Sequence, residues 1–164
     1  GFRDYLGRIN RKTALLIAAS CQLGGLVGGA PPPVWRHLRC YGRYLGMAFQ
    51  MVDDILDLVA NEGELGKPVG SDLAQGILTL PAIRALTCSP QASRLRVLLE
   101  GRLAKEGDRE EAVAIIRACG AVEYSLALAS RYVAKAKEQL ACLPAAAEKE
   151  VLYRAADFVA ARRY

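Results

Sequence analysis

Residues 44–59, YLGMAFQMVDDILDLV, decide the fold, because apolar side chains recur there at intervals of three and four. The pattern extends upstream, so we predict one long helix over residues 34–59. Its apolar stripe consists of Leu38, Leu45, Phe49, Val52, Leu56 and Val59. A second stripe, about 100° around the helix from the first, holds Gly46, Gln50, Asp53 and Asp57. We therefore expect carboxylates beside the core face of this helix instead of opposite it.

The rest of the chain also has helical spacing, interrupted by turn residues. A helix is predicted over residues 3–23, with an inward stripe of Leu6, Ile9, Thr13, Leu16 and Ser20. Further helices are predicted at about 75–87, 91–104, 108–119 and 121–142. The last predicted helix has an apolar face made of Val151, Ala155, Phe158 and Val159. No segment alternates as a strand would, so the predicted fold class is all-α.

Composition excludes several other classes of protein. The chain has 164 residues, 52% hydrophobic and 24% charged, which suits one domain and excludes a disordered chain. Its net charge is +5, but the basic residues are dispersed, which favours a solvated surface over a nucleic-acid site. No apolar run approaches the roughly 20 residues of a membrane span. Five widely spaced cysteines without a C-x-x-C motif predict a reduced, cytoplasmic protein.

The acidic motif on the long helix is the best candidate for chemistry. Asp53 and Asp57 are like charges four residues apart, which destabilises a helix. Beside a core, at about 6 Å and an effective dielectric near 20, they would repel by roughly 3 kcal/mol. A divalent cation would reverse that repulsion, and oxygen ligands on one rigid face suit Mg²⁺. The alternative is a solvated acidic patch, made of these two residues and Asp54, that binds no ion.

Cationic and hydroxyl side chains accompany this motif. Lys67 lies in the glycine-bracketed loop that follows it, and the bending of glycines would let Lys67 reach an anion held by the metal. The loop is not a Walker A motif, because Pro68 occupies the Ser/Thr position. Upstream, Lys12 offers a cation and Thr13 a hydroxyl. Considered one at a time, Lys12 could equally be an ordinary surface lysine and Thr13 an ordinary threonine packed in the core. Together with the acids, they are what a metal-bridged diphosphate requires.

An ordered set of motifs resembles the trans-polyprenyl diphosphate synthases, over essentially the whole chain. The matching blocks are Tyr5-Leu6…Ile9…Lys12-Thr13-Ala14, Tyr44-Leu45-Gly46-Met47-Ala48-Phe49-Gln50, Val52-Asp53-Asp54-Ile55-Leu56-Asp57, Leu65-Gly66-Lys67-Pro68-Val69-Gly70-Ser71-Asp72-Leu73, Gln75-Gly76…Thr79-Leu80-Pro81, and Ala156-Asp157-Phe158…Arg162-Arg163-Tyr164. The resemblance implies an isoprenoid-synthase fold of antiparallel helices around a central cavity. It also implies a Mg²⁺-dependent enzyme that condenses an allylic diphosphate with isopentenyl diphosphate.

The resemblance further implies roles for individual residues. Asp53, Asp54 and Asp57 correspond to the second aspartate-rich motif, which acts on Mg²⁺ directly or through waters. The residues around the allylic diphosphate are Lys12, Thr13, Gln50 and Lys67. The isopentenyl side is approached by Phe49, Gln50 and Arg162. On this basis the catalytic residues are predicted to be Lys12, Thr13, Asp53 and Lys67.

Two features of the family's pattern do not occur in this sequence. Only one aspartate-rich motif occurs, and the basic G-K-x-x-R-P-type segment that grips isopentenyl diphosphate is absent. The chain also begins with Gly1 instead of Met. We therefore expect residues 1–164 to be the C-terminal part of a single all-α domain, inactive alone and homodimeric in the full-length protein. The alternatives are a non-catalytic helical subunit or degenerate homologue of such a synthase, and a helical nucleic-acid-binding module.

Overall fold

The computed structural model describes residues 1–59 and 68–162, and these residues are helical with no strand. In chain order the helices are α1 (Phe2–Ile9), a π-helical turn (Asn10–Ala14), α2 (Leu15–Val27), α3 (Pro32–Val59), α4 (Ser71–Ala74), α5 (Leu80–Cys88), α6 (Ala92–Glu100), α7 (Asp108–Ala118), α8 (Ala121–Gln139), a 3₁₀ turn (Leu140–Cys142) and α9 (Ala147–Ala161). The predictions of an all-α fold and of one long helix over about residues 34–59 are therefore confirmed.

Contacts between Cα atoms divide the chain into two compact units. The first unit contains Gly1–Tyr5 and Asp53–Ala127, and the second contains Leu6–Val52 and Leu128–Arg162. Helix α3 contributes to both units, because the division falls between Val52 and Asp53. That residues 1–164 belong to one larger domain stays a prediction.

The first unit has a hydrophobic core to which α5, α6 and α7 contribute. Its buried side chains are Leu58, Leu73, Ala82, Ala85, Leu95, Leu98, Ala112, Val113, Ile115, Ile116 and Ala121. The C-terminal end of α3 joins this core through Leu58, whose backbone carbonyl accepts a 2.6 Å hydrogen bond from Arg117. The last carbonyl groups of a helix have no hydrogen-bond donor within the helix. The side chain of Arg117 therefore supplies a donor to one of these carbonyls at the C-terminal end of α3.

The second unit depends on a close approach of two helices, made possible by glycines. A Cβ atom at Gly46 would lie 2.6 Å from the Cα atom of Ala14, and one at Gly42 would lie 2.6 Å from the carbonyl oxygen of Ile17. The two glycines are four residues apart, so they lie on the same face of α3. Any larger residue at either position would push α3 away from the π-helical turn and α2.

The predicted inward stripe of the first helix is wrong at Leu16 and Ser20, whereas Thr13 is half-buried. Leu16 is 72% exposed and Ser20 is exposed, whereas Ala14 and Ala18 are buried. The cause is the π-helical turn, in which the Leu15 N–H donates to Asn10, five residues back. This wider turn adds one residue to the helical register, so the residues that follow Ile9 on the core side are shifted by one position.

Two other sequence-based expectations are corrected by packing. On the second stripe of α3, Gly46, Gln50 and Asp57 are buried and Asp53 is exposed. On the predicted apolar stripe, Val52 and Leu56 are buried but Leu45 and Phe49 are only partly buried. On α9 the buried residues are Ala156 and Val159, whereas the predicted face members Val151, Ala155 and Phe158 are exposed. On α3 the glycines lie where the neighbouring helix comes closest, and periodicity alone does not locate that contact.

Within the residues described, no single helix is both long enough and apolar enough to cross a membrane. Among these described residues, one bent pair of helices, Asp108–Ala118 and Ala121–Cys142, meets the length and composition criteria together, with a bend of 63°.

A pair of substitutions on α6 tests the core of the first unit. Leu95 is fully buried and Val97, on the same helix, is 59% exposed. Leu95→Ala should lower the free energy of unfolding by about 2–5 kcal/mol, because it removes buried methyl groups and leaves a cavity. Val97→Ala should change it by less than about 0.5 kcal/mol. Urea denaturation followed by circular dichroism measures both, and equal losses would contradict this placement of α6.

Candidate functional site

Helix α3 places the three carboxylates of the acidic motif in different environments. Asp53 and Asp57 are one turn apart and share a side of the helix, whereas Asp54 points about 100° away from Asp53. Asp53 is exposed, Asp54 is 5% exposed and Asp57 is 1% exposed. Burying a carboxylate is unfavourable unless it accepts hydrogen bonds, so the structure must supply donors to Asp54 and Asp57.

The donor to Asp57 comes from the start of α4. The Asp72 backbone N–H donates to Asp57 Oδ2 at 3.1 Å, and the Gly70 N–H donates to the Asp57 carbonyl at 2.7 Å. Gly70 has φ of +73°, and a Cβ there would lie 2.8 Å from Val113 Cγ2, so the position requires glycine on both counts. Asp57 therefore holds the beginning of α4 against α3 within the first unit.

The donor to Asp54 comes from α1. The Tyr5 hydroxyl donates to Asp54 Oδ2 at 2.8 Å, and both side chains are buried. Hydrogen bonds to ionised acceptors are shorter and stronger than those between neutral groups. The carboxylate of Asp54 is therefore fixed toward Tyr5, and Asp53 is the motif residue whose side chain is accessible from outside.

Two predicted diphosphate residues meet in the second unit. The Thr13 hydroxyl donates to Gln50 Oε1 at 2.7 Å, with Gln50 buried and Thr13 half-buried. Thr13 and the exposed Lys12 both lie in the π-helical turn. Such turns occur frequently at functional sites, and no feature of the sequence predicted one here. The turn and the close packing at Gly46 together bring Thr13 to Gln50.

The residues predicted for the isopentenyl side also come together in the second unit. The Arg162 guanidinium lies over the Phe49 ring, 4.8 Å from its centroid. A cation at that distance is attracted by the electron-rich face of the ring. Phe49 and Arg162 are therefore neighbours, and their approach to isopentenyl diphosphate stays a prediction. Lys67, the remaining predicted site residue, lies outside the described residues.

The carboxylates of the acidic motif suit a metal ion whose coordination is completed by substrate. They suit less well a metal ion that is coordinated by protein side chains alone. In the described parts of the chain, no group of three or more His, Cys, Asp or Glu side chains could hold a metal ion. Mg²⁺ is commonly bound by one or two carboxylates, with the remaining positions filled by waters and substrate phosphates. The exposed carboxylate of Asp53 suits that arrangement, and the assignment of Asp53, Asp54 and Asp57 to Mg²⁺ stays a prediction.

Sequence reasoning did not identify the two groups that hydrogen-bond to the motif. Tyr5 and Asp72 are 49 and 15 residues from their partners Asp54 and Asp57. The sequence did carry one signal, since carboxylates beside a core require donors. Nothing in the local spacing indicates which distant residues provide them.

The fold is that of isoprenyl diphosphate synthases. The heptaprenyl diphosphate synthase from Staphylococcus aureus matches with a TM-score of 0.91 and 35% identity, over 99% of this chain and 51% of that one. The geranylgeranyl pyrophosphate synthase from Corynebacterium glutamicum, crystallised with calcium and isoprenyl diphosphate, matches with a TM-score of 0.86 and 34% identity, over 95% of this chain and 49% of that one.

Sequence comparison gives the family. The model of the polyprenyl synthetase family matches residues 1–116, and the chain belongs to this family. It is 44% identical to heptaprenyl diphosphate synthase component 2 of Geobacillus stearothermophilus, over 99% of this chain and 50% of the relative. It is 41% identical to a short chain isoprenyl diphosphate synthase of Methanothermobacter thermautotrophicus, over 98% of this chain and 50% of the relative. The chain thus spans about half the length of these relatives.

Two glycine substitutions test the packing that brings Thr13 to Gln50. Gly46→Ala should lower the free energy of unfolding by about 1–3 kcal/mol, because its Cβ would overlap the backbone at Ala14. Gly24→Ala is the matched control, since a Cβ there meets nothing within 4 Å. It should be neutral or stabilising by up to about 1 kcal/mol, through helix propensity alone. Thermal unfolding compares the two, and a harmless Gly46→Ala would contradict the close approach.

Proposed function

We propose that this chain is the C-terminal part of a Mg²⁺-dependent prenyltransferase, which condenses an allylic diphosphate with isopentenyl diphosphate to give a longer polyprenyl diphosphate. The observation that carries the proposal is the environment of the acidic motif in a member of the polyprenyl synthetase family. Asp53 is exposed, whereas Asp54 and Asp57 are buried and accept hydrogen bonds from α1 and α4. A purely solvated acidic patch would not need two of its three carboxylates to be buried in this way.

In this proposal Asp53 binds Mg²⁺ directly, and Asp54 and Asp57 act through waters. When bound, the ion supplies positive charge that stabilises the diphosphate as it departs from the allylic carbon. The cationic side chains of Lys12 and Lys67 bind diphosphate oxygens and add to that electrostatic stabilisation.

The other predicted site residues orient the substrates. Thr13 fixes the amide of Gln50 by its hydrogen bond, so this amide is held in one orientation toward a ligand. Phe49 and Arg162 are proposed to bind isopentenyl diphosphate, with the guanidinium on the diphosphate and the ring against the isoprenoid. Holding the two reactants in a reactive geometry removes much of the entropic barrier to their condensation.

A non-catalytic subunit is the second candidate function. Relatives at 44% and 41% identity are both named component 2 of a heptaprenyl diphosphate synthase, a name that implies at least one other component. In this alternative the chain acts by associating with a partner that carries the chemistry. The two functions differ in whether this chain itself binds Mg²⁺ and diphosphate, so the same binding experiment separates them.

A thermal-shift titration with Mg²⁺ and geranyl diphosphate tests the proposal. A ligand present at about 100 times its dissociation constant stabilises the folded chain by roughly 2.7 kcal/mol, which is a shift of several degrees. The shift should require Mg²⁺ and should be lost in Asp53→Asn. Glu123→Gln, an equal charge change at an exposed position of α8, should leave it intact. The absence of any Mg²⁺-dependent shift in the unmodified chain would refute a diphosphate site and favour the second candidate.

The purified 164-residue chain is expected to show no normal prenyltransferase activity. The reason is that it holds one aspartate-rich motif and no G-K-x-x-R-P-type segment for isopentenyl diphosphate. Chain elongation is measured by incubating the chain with radiolabelled isopentenyl diphosphate, an allylic diphosphate and Mg²⁺. The labelled products are then extracted and counted. Elongation at a rate typical of enzymes, about 1 per second or faster, would show that the missing motifs are not required.

A further inference from the structure

The hydrogen bond between Tyr5 and Asp54 joins the N-terminal helix to the acidic motif inside the first unit. Tyr5 is 2% exposed, and its hydroxyl lies 2.8 Å from Asp54 Oδ2. The two residues are 49 positions apart in the sequence. No solvent reaches this contact in appreciable amount, so the phenol hydroxyl is a principal determinant of where the Asp54 carboxylate points.

This contact lies directly beside the exposed carboxylate of Asp53. Asp54 is the next residue along α3, so the hydrogen bond from Tyr5 ties the turn of helix that carries Asp53 to α1. One turn along α3 from Asp53, Asp57 is held by the backbone N–H of Asp72. The exposed Asp53 thus shares this part of α3 with two buried carboxylates, which accept hydrogen bonds from α1 and from the start of α4.

We propose that Tyr5 is a positioning residue for the cation site, acting through Asp54 to fix the orientation of the Asp53 carboxylate. This inference rests on the proposed function, because it requires that Asp53 bind a cation. Groups that hydrogen-bond to a metal site from outside commonly set its affinity, and their loss costs roughly 10- to 100-fold. Tyr5 touches no ligand itself, so it is not a catalytic residue.

Tyr41 offers a matched control in the second unit. It is 1% exposed, and its hydroxyl donates a 2.8 Å hydrogen bond to the Leu152 carbonyl. Burial, with a smaller contribution from Cys21, raises the pKa of Tyr41 to about 12, so its hydroxyl stays protonated near neutral pH. Replacement by Phe removes the named hydroxyl hydrogen bond of each buried tyrosine, but of the two only Tyr5 donates to the acidic motif.

The experiment is an isothermal calorimetric titration of the 164-residue chain with Mg²⁺, at saturating geranyl diphosphate, which measures the affinity for Mg²⁺. Tyr5→Phe and Tyr41→Phe should lower the unfolding temperature by similar amounts. Tyr5→Phe should also weaken Mg²⁺ binding roughly 10- to 100-fold, whereas Tyr41→Phe should change it by less than about twofold, as expected for an independent site. Circular dichroism checks that each variant is folded at the temperature of the titration. A variant of low stability is measured in the presence of a stabilising osmolyte such as sucrose, and the unmodified chain is then measured in the same buffer.

A second variant tests the route through Asp54. Asp54→Leu removes the acceptor, so adding Tyr5→Phe to it should change Mg²⁺ binding by less than about twofold. A further large loss in the double variant would show another route and overturn the inference. Equal binding by the Tyr5→Phe and Tyr41→Phe chains would also overturn it, while leaving the proposed function in place. If the unmodified chain shows no Mg²⁺-dependent diphosphate binding, the proposed function fails and this inference fails with it.

Discussion

The burial of two carboxylates on α3 is the constraint on which the structure of the first unit depends. Asp54 and Asp57 cannot be left in a low-dielectric environment without donors, because the cost of an unpaired buried charge would exceed the stability of a small domain. The fold supplies the donors from Tyr5 on α1 and from the backbone at the start of α4. The hydrogen bonds that stabilise the two buried acids therefore also attach α1 and α4 to α3.

In the second unit, by contrast, the governing constraint is steric. Gly42 and Gly46 remove side-chain volume where α3 meets the backbone of the π-helical turn and α2. The helices approach closely enough for Thr13 to reach Gln50 at the end of the same face. The π-helical turn contributes as well, since it contains Lys12 and Thr13 and rotates the following residues of α2 relative to the core. Backbone geometry, more than hydrophobic burial, thus positions the polar residues of this unit.

Much of the candidate site could be read from the sequence, because its residues lie in continuous motifs. The D-D-x-x-D motif, Lys12 with Thr13, and Gln50 could each be found without a structure. Pairings between side chains, such as Thr13 with Gln50 and Phe49 with Arg162, could not be read from the sequence, because the partners lie far apart along the chain. Leu16 and Ser20 were assigned to the wrong side of their helix, because periodicity assumes a regular helix and a π-helical turn breaks that assumption.

The helical class, the family and the helix that carries the acids can all be read from the amino-acid sequence. These properties follow from local periodicity and from motifs a few residues long, which do not depend on distant contacts. The packing of the helices is needed to see which acid is exposed, which groups donate hydrogen bonds to the other two, and which residues of α9 are buried. Those outcomes depend on how helices distant in sequence pack together, since burial is a property of the neighbours of a residue and not of the residue itself.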